Sequence, residues 1–127
     1  MRREDVAVRG VHKATGYSHA AKAGGLLFIA GQVALDADGS LVGKGDFEAQ
    51  AVQVFENLKA ILAAAGATFE DVAKMTTYVT SLAYRPKLAE IRARYFKTYL
   101  PPNTFVVISS LATPEFLLEI EAVAACP

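Results

Sequence analysis

The sequence predicts an α+β fold in which two helices cover one face of a mixed β-sheet. Three observations carry that expectation. Apolar residues recur at helical spacing over 47–65 and again over 86–99. Short runs rich in Val, Ile, Thr, Tyr and Phe, bounded by Gly, Pro and Asp-Gly, fill much of the rest. The order is then strands, helix, strand, helix and two strands, which suits one layer of helices on one sheet. With 127 residues, the chain is expected to form one domain over 1–127. A domain of that size buries roughly two-thirds of its unfolded surface, enough to hold without disulfides or metal.

Residues 17–35 read as β-rich. Gly24-Gly25 signals a turn, and Leu26 to Ala30 is an apolar run too short for a helix, hence a buried strand. Asp36-Ala37-Asp38-Gly39 reads as a turn, after which Ser40-Leu41-Val42 is expected to pair back. Asp46 is placed to cap the first helix, with Glu48 where a negative charge suits a helix N-terminus. Phe47, Ala51, Val54, Phe55, Leu58, Ile61, Leu62 and Ala65 share one face, and Gly66 stops the helix. Lys74 to Ser81 reads as a strand. Pro86 suits the first turn of a second helix, whose buried face is expected at Leu88, Ile91, Tyr95 and Tyr99. Pro101-Pro102 forbids its continuation. Two last strands are expected over 104–110 and 116–124, split by Ala112-Thr113-Pro114. Phe105 to Ile108 is apolar on both sides, so the helix-free sheet face is expected to pack on another copy.

Composition removes several function classes. Apolar residues make up 53% and charged residues 20%, which excludes a disordered chain. Thirteen basic residues balance thirteen acidic ones, against the clustered positive charge that nucleic-acid binding needs. The charged start, Met1-Arg2-Arg3-Glu4-Asp5, lacks the apolar stretch of a secretory signal, and no run reaches the ~20 residues that span a bilayer. No nucleic-acid or membrane partner and a cytoplasmic location are therefore expected. Cys126 is the one cysteine, and with His12 and His19 it offers no metal spacing, so no metal is expected. Cys126 reads as a bystander near a frayed end, and the two histidines as surface or capping residues. There is no P-loop and no Gly-x-Ser-x-Gly elbow.

The polar group that stands out is Glu119-Ile120-Glu121. In a strand both carboxylates point to one face, inside an otherwise apolar run. They either meet solvent or an arginine across an interface, or one lines a cleft as a base with its pKa tuned by burial.

Beyond this the chain resembles the Rid family (reactive intermediate deaminases, YjgF-type). The resemblance lies in Gly16-Tyr17-Ser18-His19-Ala20 and in the run from Gly25 to Val33, which reads Gly-Leu-Leu-Phe-Ile-Ala-Gly-Gln-Val. It continues in Asn57 to Leu62 with Ala65-Gly66, in Pro101-Pro102-Asn103, and in Leu118 to Ala124. It runs from about Thr15 to Ala124, with a short deletion before Pro101. It implies a chorismate-mutase-like fold, a homotrimer, inter-subunit clefts for small molecules, and hydrolysis of enamines and imines without a cofactor. It also implies that an arginine clamps the substrate carboxylate while a last-strand glutamate handles water.

Position by position, the resemblance makes Glu119 the catalytic glutamate, Tyr17 the cleft tyrosine and Gly31 the glycine bordering the cleft. Ala30 stands where a serine is common, and Ala89 where an asparagine is usual. Asn103 stands in place of the arginine, with Thr104 beside it. A neutral amide gives up a charge-assisted contact worth about 1.5–3 kcal/mol. Arg92, on the second helix, is the candidate replacement; the bland reading puts it on a solvated face with Arg85, Lys87 and Arg94. Gln32 reads as structural, satisfying backbone at a strand end. The sequence thus points to a Glu119-dependent imine or enamine deaminase, with a non-catalytic small-molecule binder as the alternative. An endoribonuclease is the weakest reading, given the zero net charge.

Overall fold

The computed structural model describes residues 2–126. A short β1 (Glu4–Asp5) precedes β2 (Ala20–Ala23) and β3 (Leu26–Gln32). Then come α1 (Phe47–Ala64), β4 (Val72–Val79), α2 (Arg85–Arg92), β5 (Asn103–Val107) and β6 (Leu118–Ala125). They form one six-stranded sheet of order β1-β2-β3-β6-β4-β5. Only β4 and β5 run parallel; the other neighbours are antiparallel, so the sheet is mixed as expected.

The pleat sorts residues by face. Leu27, Ile29, Met75, Val79, Leu118, Ile120, Ala122 and Ala124 are buried beneath the helices. Against them α1 packs Ala51, Val54, Phe55, Leu58, Ile61 and Leu62, the stripe its spacing announced. Asp46 caps α1 by accepting from the Ala49 N–H at 3.1 Å. Gly66 follows α1 at φ +77°, a conformation that L side chains rarely adopt, and so ends it.

Three sequence expectations need correction. Ser40-Leu41-Val42 forms no strand: only a single Leu35–Leu41 bridge pairs there. Asp36 closes that turn itself, its Oδ1 accepting from the Asp38 and Ser40 N–H groups. Second, α2 ends at Arg92 rather than running to the prolines. Phe96 must turn inward to meet Phe55 and Phe69, at ring separations of 6.5 and 5.0 Å, and a continuing helix would not place it there. Tyr95 stacks on Phe55 at 4.9 Å, but Tyr99 lies beyond the helix and is exposed. Third, the end of β6 is not frayed at Cys126. Its N–H donates to the Gly25 carbonyl and its buried thiol to the Ala65 carbonyl.

The face away from the helices carries Leu26, Phe28 and Val106, all exposed. No element among the described residues covers it. Among the described residues no helix is long and apolar enough to cross a membrane.

Candidate functional site

The site is built on an irregularity between β3 and β6. Ile29 pairs with Ala122 and Gln32 with Ile120, so two residues, Ala30 and Gly31, stand opposite Glu121 alone. This bulge turns Ile29 and Gln32 both toward the core and leaves Ala30 and Gly31 facing the open side. Glu119 lies directly against Gly31: a Cβ there would stand 2.2 Å from Glu119 Oε2 and 2.6 Å from its Cδ. The glycine is needed for that close approach.

Glu119 and Glu121 share the open face, as their spacing requires, but they are not equivalent. Tyr78 Oη donates to Glu121 Oε1 at 2.6 Å. The Glu119 carboxyl makes no hydrogen bond to another described residue. Burial raises its pKa above the ordinary glutamate value, and the Glu121 charge raises it further. A half-buried carboxyl with a raised pKa and no fixed partner is suited to taking and returning a proton.

Beside it, a cavity of about 660 Å³ is walled by Tyr17, Ser18, Phe28, Ala30, Glu121 and Arg3. Tyr17 is half exposed. Its phenol is held protonated beyond its ordinary range, first by partial burial and then by the Glu119 charge. Its position comes from a buried relay that sequence reading missed. His12 Nε2 lies 3.0 Å from Tyr17 Oη, and the His12 and His19 rings meet edge to face at 4.7 Å. Far from being surface residues, both histidines are buried. Gln32 Nε2 donates to the Ala30 carbonyl and to His19 Nδ1, both at 3.1 Å. Because Ala30 offers only an acceptor, the amide orientation is set. His19 Nδ1 is then the acceptor of the pair, and its Nε2 donates to the His12 carbonyl at 2.7 Å. Burial holds the His12 pKa below its ordinary value. Gln32 serves backbone groups at a strand end, as its position suggested.

The remaining sequence-predicted residues do not join this group within one chain. Asn103 pairs in register with Met75, so it faces the helix side, where its Oδ1 accepts from the Thr77 hydroxyl at 3.0 Å. Arg92 lies on that side too, with Arg85, Ala89 and Asn103 around a separate cavity of about 340 Å³. Thr104 does face the open side, where Lys74 Nζ donates to its hydroxyl. The four basic residues once grouped on a solvated face thus divide. Lys87 and Arg94 pair with Glu48 at 3.4 and 3.2 Å, whereas Arg85 and Arg92 turn to the cavity. Tyr78 and Arg3 were also missed. Alternation on β4 could have placed Tyr78 on the carboxylate face, but nothing in the sequence brings Arg3 to it. Among the described residues no cluster of His, Cys, Asp and Glu could hold a metal.

The same fold and sequence pattern recur in known proteins. Residues 9–126 match the family model described as endoribonuclease L-PSP. A RutC family protein of Pyrococcus horikoshii is 44% identical over 108 residues, covering 85% of each chain. Among solved structures, YyfA of Yersinia pestis, a Rid family protein, superposes with a TM-score of 0.93 at 32% identity, over 98% of this chain and 99% of its own. TdcF of E. coli, solved with bound serine, gives 0.88 at 27% identity, over 98% and 99%. The chorismate-mutase-like sandwich expected from the resemblance therefore stands. With sequence match and superposition both running nearly end to end, the chain belongs to the endoribonuclease L-PSP family, that of the Rid and RutC proteins.

Proposed function

We propose that this protein is a Rid-type hydrolase that converts small imines or enamines to carbonyl compounds and ammonia, with Glu119 as the base. The observation that carries the reading is the Glu119 carboxyl, half-buried against Gly31, with its pKa raised and no fixed partner. Glu119 takes a proton from water as the water oxygen adds to the imine carbon. It returns that proton to the nitrogen to give the carbinolamine. It then carries the hydroxyl proton to the amino group as the C–N bond breaks, releasing ammonia and leaving C=O. An enamine first takes a proton on carbon and then follows the same course. Tyr17, pinned by His12, and Ala30 wall the cavity beside Glu119, and Gly31 lies against the Glu119 carboxyl. These steps draw on this chain's own residues and call for no metal or organic cofactor.

The exposed Leu26, Phe28 and Val106 support a homotrimer closed through the open sheet face, with the clefts lying between subunits. Cytoplasmic location is part of the same proposal. TdcF with bound serine supports a small polar ligand. Asn103 in place of the family's arginine favours a second reading, a small-molecule binder that has lost the chemistry. An RNA-cleaving role, which the family's description names, has the zero net charge against it.

The test couples an amino-acid oxidase to semicarbazide trapping. A hydrolase removes the released imine before the trap and lowers semicarbazone yield in proportion to its concentration. Unchanged yield across several amino acids, with ligand still bound, would favour the non-catalytic binder.

A further inference from the structure

Tyr17 is held by both histidines. Its ring meets His19 edge to face at 5.7 Å, and His12 Nε2 stands 3.0 Å from its hydroxyl oxygen. The segment that carries all three is tied to the β3 bulge. The Ala30 N–H donates to the His19 carbonyl at 2.8 Å, and Gln32 reaches both Ala30 and His19. The cavity wall is thereby registered against the strand that carries Gly31. What the phenol offers a guest depends on which nitrogen of His12 carries hydrogen. His12 is 7% exposed, and its Nδ1 has no hydrogen-bond partner among the described residues. Hydrogen on Nδ1 would strand a buried N–H donor, which native structures rarely tolerate, whereas a bare lone pair costs less. A doubly protonated ring would strand the same donor and bury a charge as well. The hydrogen therefore belongs on Nε2, which donates to Tyr17 Oη. An oxygen that accepts from His12 keeps its own hydrogen for another partner, and the half-exposed Tyr17 lines the cavity of about 660 Å³.

We propose that His12 is a positioning residue: its Nε2–H holds Tyr17 Oη as an acceptor and so reserves the phenol hydrogen for a lone pair on the guest. Neither histidine lines that cavity, so His12 acts through Tyr17 and not on the guest. This role rests on the hydrolase reading; the direction of the His12–Tyr17 bond does not. For an imine the lone pair is that of the nitrogen, and a hydrogen bond there draws electrons from the carbon to which water adds. The proton stays on Tyr17, because burial and then the Glu119 charge oppose its loss. A guest that presents only donors at that point, such as an ammonium group, sets hydrogen against hydrogen and is disfavoured.

The direction of the bond is read without turnover, from imidazole nitrogen–proton correlation spectra of the full chain above pH ~7.5, where histidines are neutral. The chain has only two histidines, and both are expected as the Nε2–H tautomer. Tyr17→Phe is expected to move the His12 Nε2–H signal. Hydrogen found on His12 Nδ1 would overturn the proposal whatever the activity. The role is read from a double-mutant cycle in the semicarbazide competition assay. His12→Phe keeps a buried ring against His19 but removes the donor, and is expected to lower kcat/KM about 10-fold. In Tyr17→Phe, which retains Glu119 and so a measurable rate, the same change is expected to cost nothing further. His12→Gln, whose amide N–H stands in for Nε2–H, is expected to regain part of the loss. Equal losses in the two backgrounds would show that His12 supports the fold alone, and would overturn the role. So would a His12→Phe variant as active as the parent. A parent that hydrolyses no imine would remove the hydrolase reading and this role with it, and the spectra would still decide the bond.

Discussion

Two glutamates two residues apart have been given different properties by their neighbours alone. Tyr78 donates to Glu121, while Glu119 lies on Gly31 with burial and the Glu121 charge both opposing its ionisation. Alternation along β6 was legible in the sequence and put both carboxylates on one face. Which of them is left free was not, because Tyr78 comes from a strand some forty residues away in sequence. The same holds for His12: as a lone histidine it reads as surface, and only the fold buries it behind Tyr17. Burial raises the Glu119 pKa above its unfolded value, so the folded chain keeps that proton to higher pH. Its contribution to stability therefore falls as pH rises through that window and stays lost above it. Glu119→Gln is accordingly expected to melt roughly 1–4 °C higher than the parent at pH 7, with the gap closing below pH ~4. Thermal melts across pH check this; a lower melting temperature for the variant at pH 7 would contradict it.

At the scale of elements, the local signals that were legible are those set within a few residues. Asp46 and Gly66 bracket α1, and β3, β4 and β6 fall on runs read as strands, whereas the run expected over 104–110 ends early, at Val107. What escaped depended on partners distant in sequence. The end of α2 is set by Phe96 seeking Phe55 and Phe69, and the failure of 40–42 to become a strand by the Asp36 turn. The β3 bulge escaped as well, because a bulge is a property of a pair of strands. Yet it positions the site by presenting Ala30 and Gly31 together to Glu119. Gly31→Ala puts a methyl where the carboxyl lies, so the flexible Glu119 side chain must swing away. The expected result is a loss of about 10²-fold in imine hydrolysis with little change in melting temperature. Turnover and melting measured on one preparation check it.

For the molecule as a whole, the two sides of the sheet carry different sets of residues. One side holds the core and, at its β5 edge, a pocket lined by arginines. The other carries Glu119, Tyr17 and an apolar surface that no described element covers. The layer arrangement was legible from element order and from strands apolar on both sides. The placing of Asn103 on the opposite sheet face from Glu119 was not, since the order β6-β4-β5 sets β4 between their strands and only the register decides the face. If the bare face closes a trimer, Phe28, half exposed there, lies in its interface. Phe28→Glu is then expected to sediment as a monomer with its secondary structure intact, while the parent sediments as a trimer. A parent that sediments as a monomer at micromolar concentration would remove the trimer.

The most direct measurement is the pH–rate profile of imine hydrolysis for the parent and for Glu119→Gln. If the Glu119 carboxylate is the base, the rate rises with pH along an acid limb whose midpoint lies above the ordinary glutamate value. Glu119→Gln then loses that limb and about 10²-fold or more in rate. A Glu119→Gln variant that keeps the parent's rate and profile would show that the water is activated by another group.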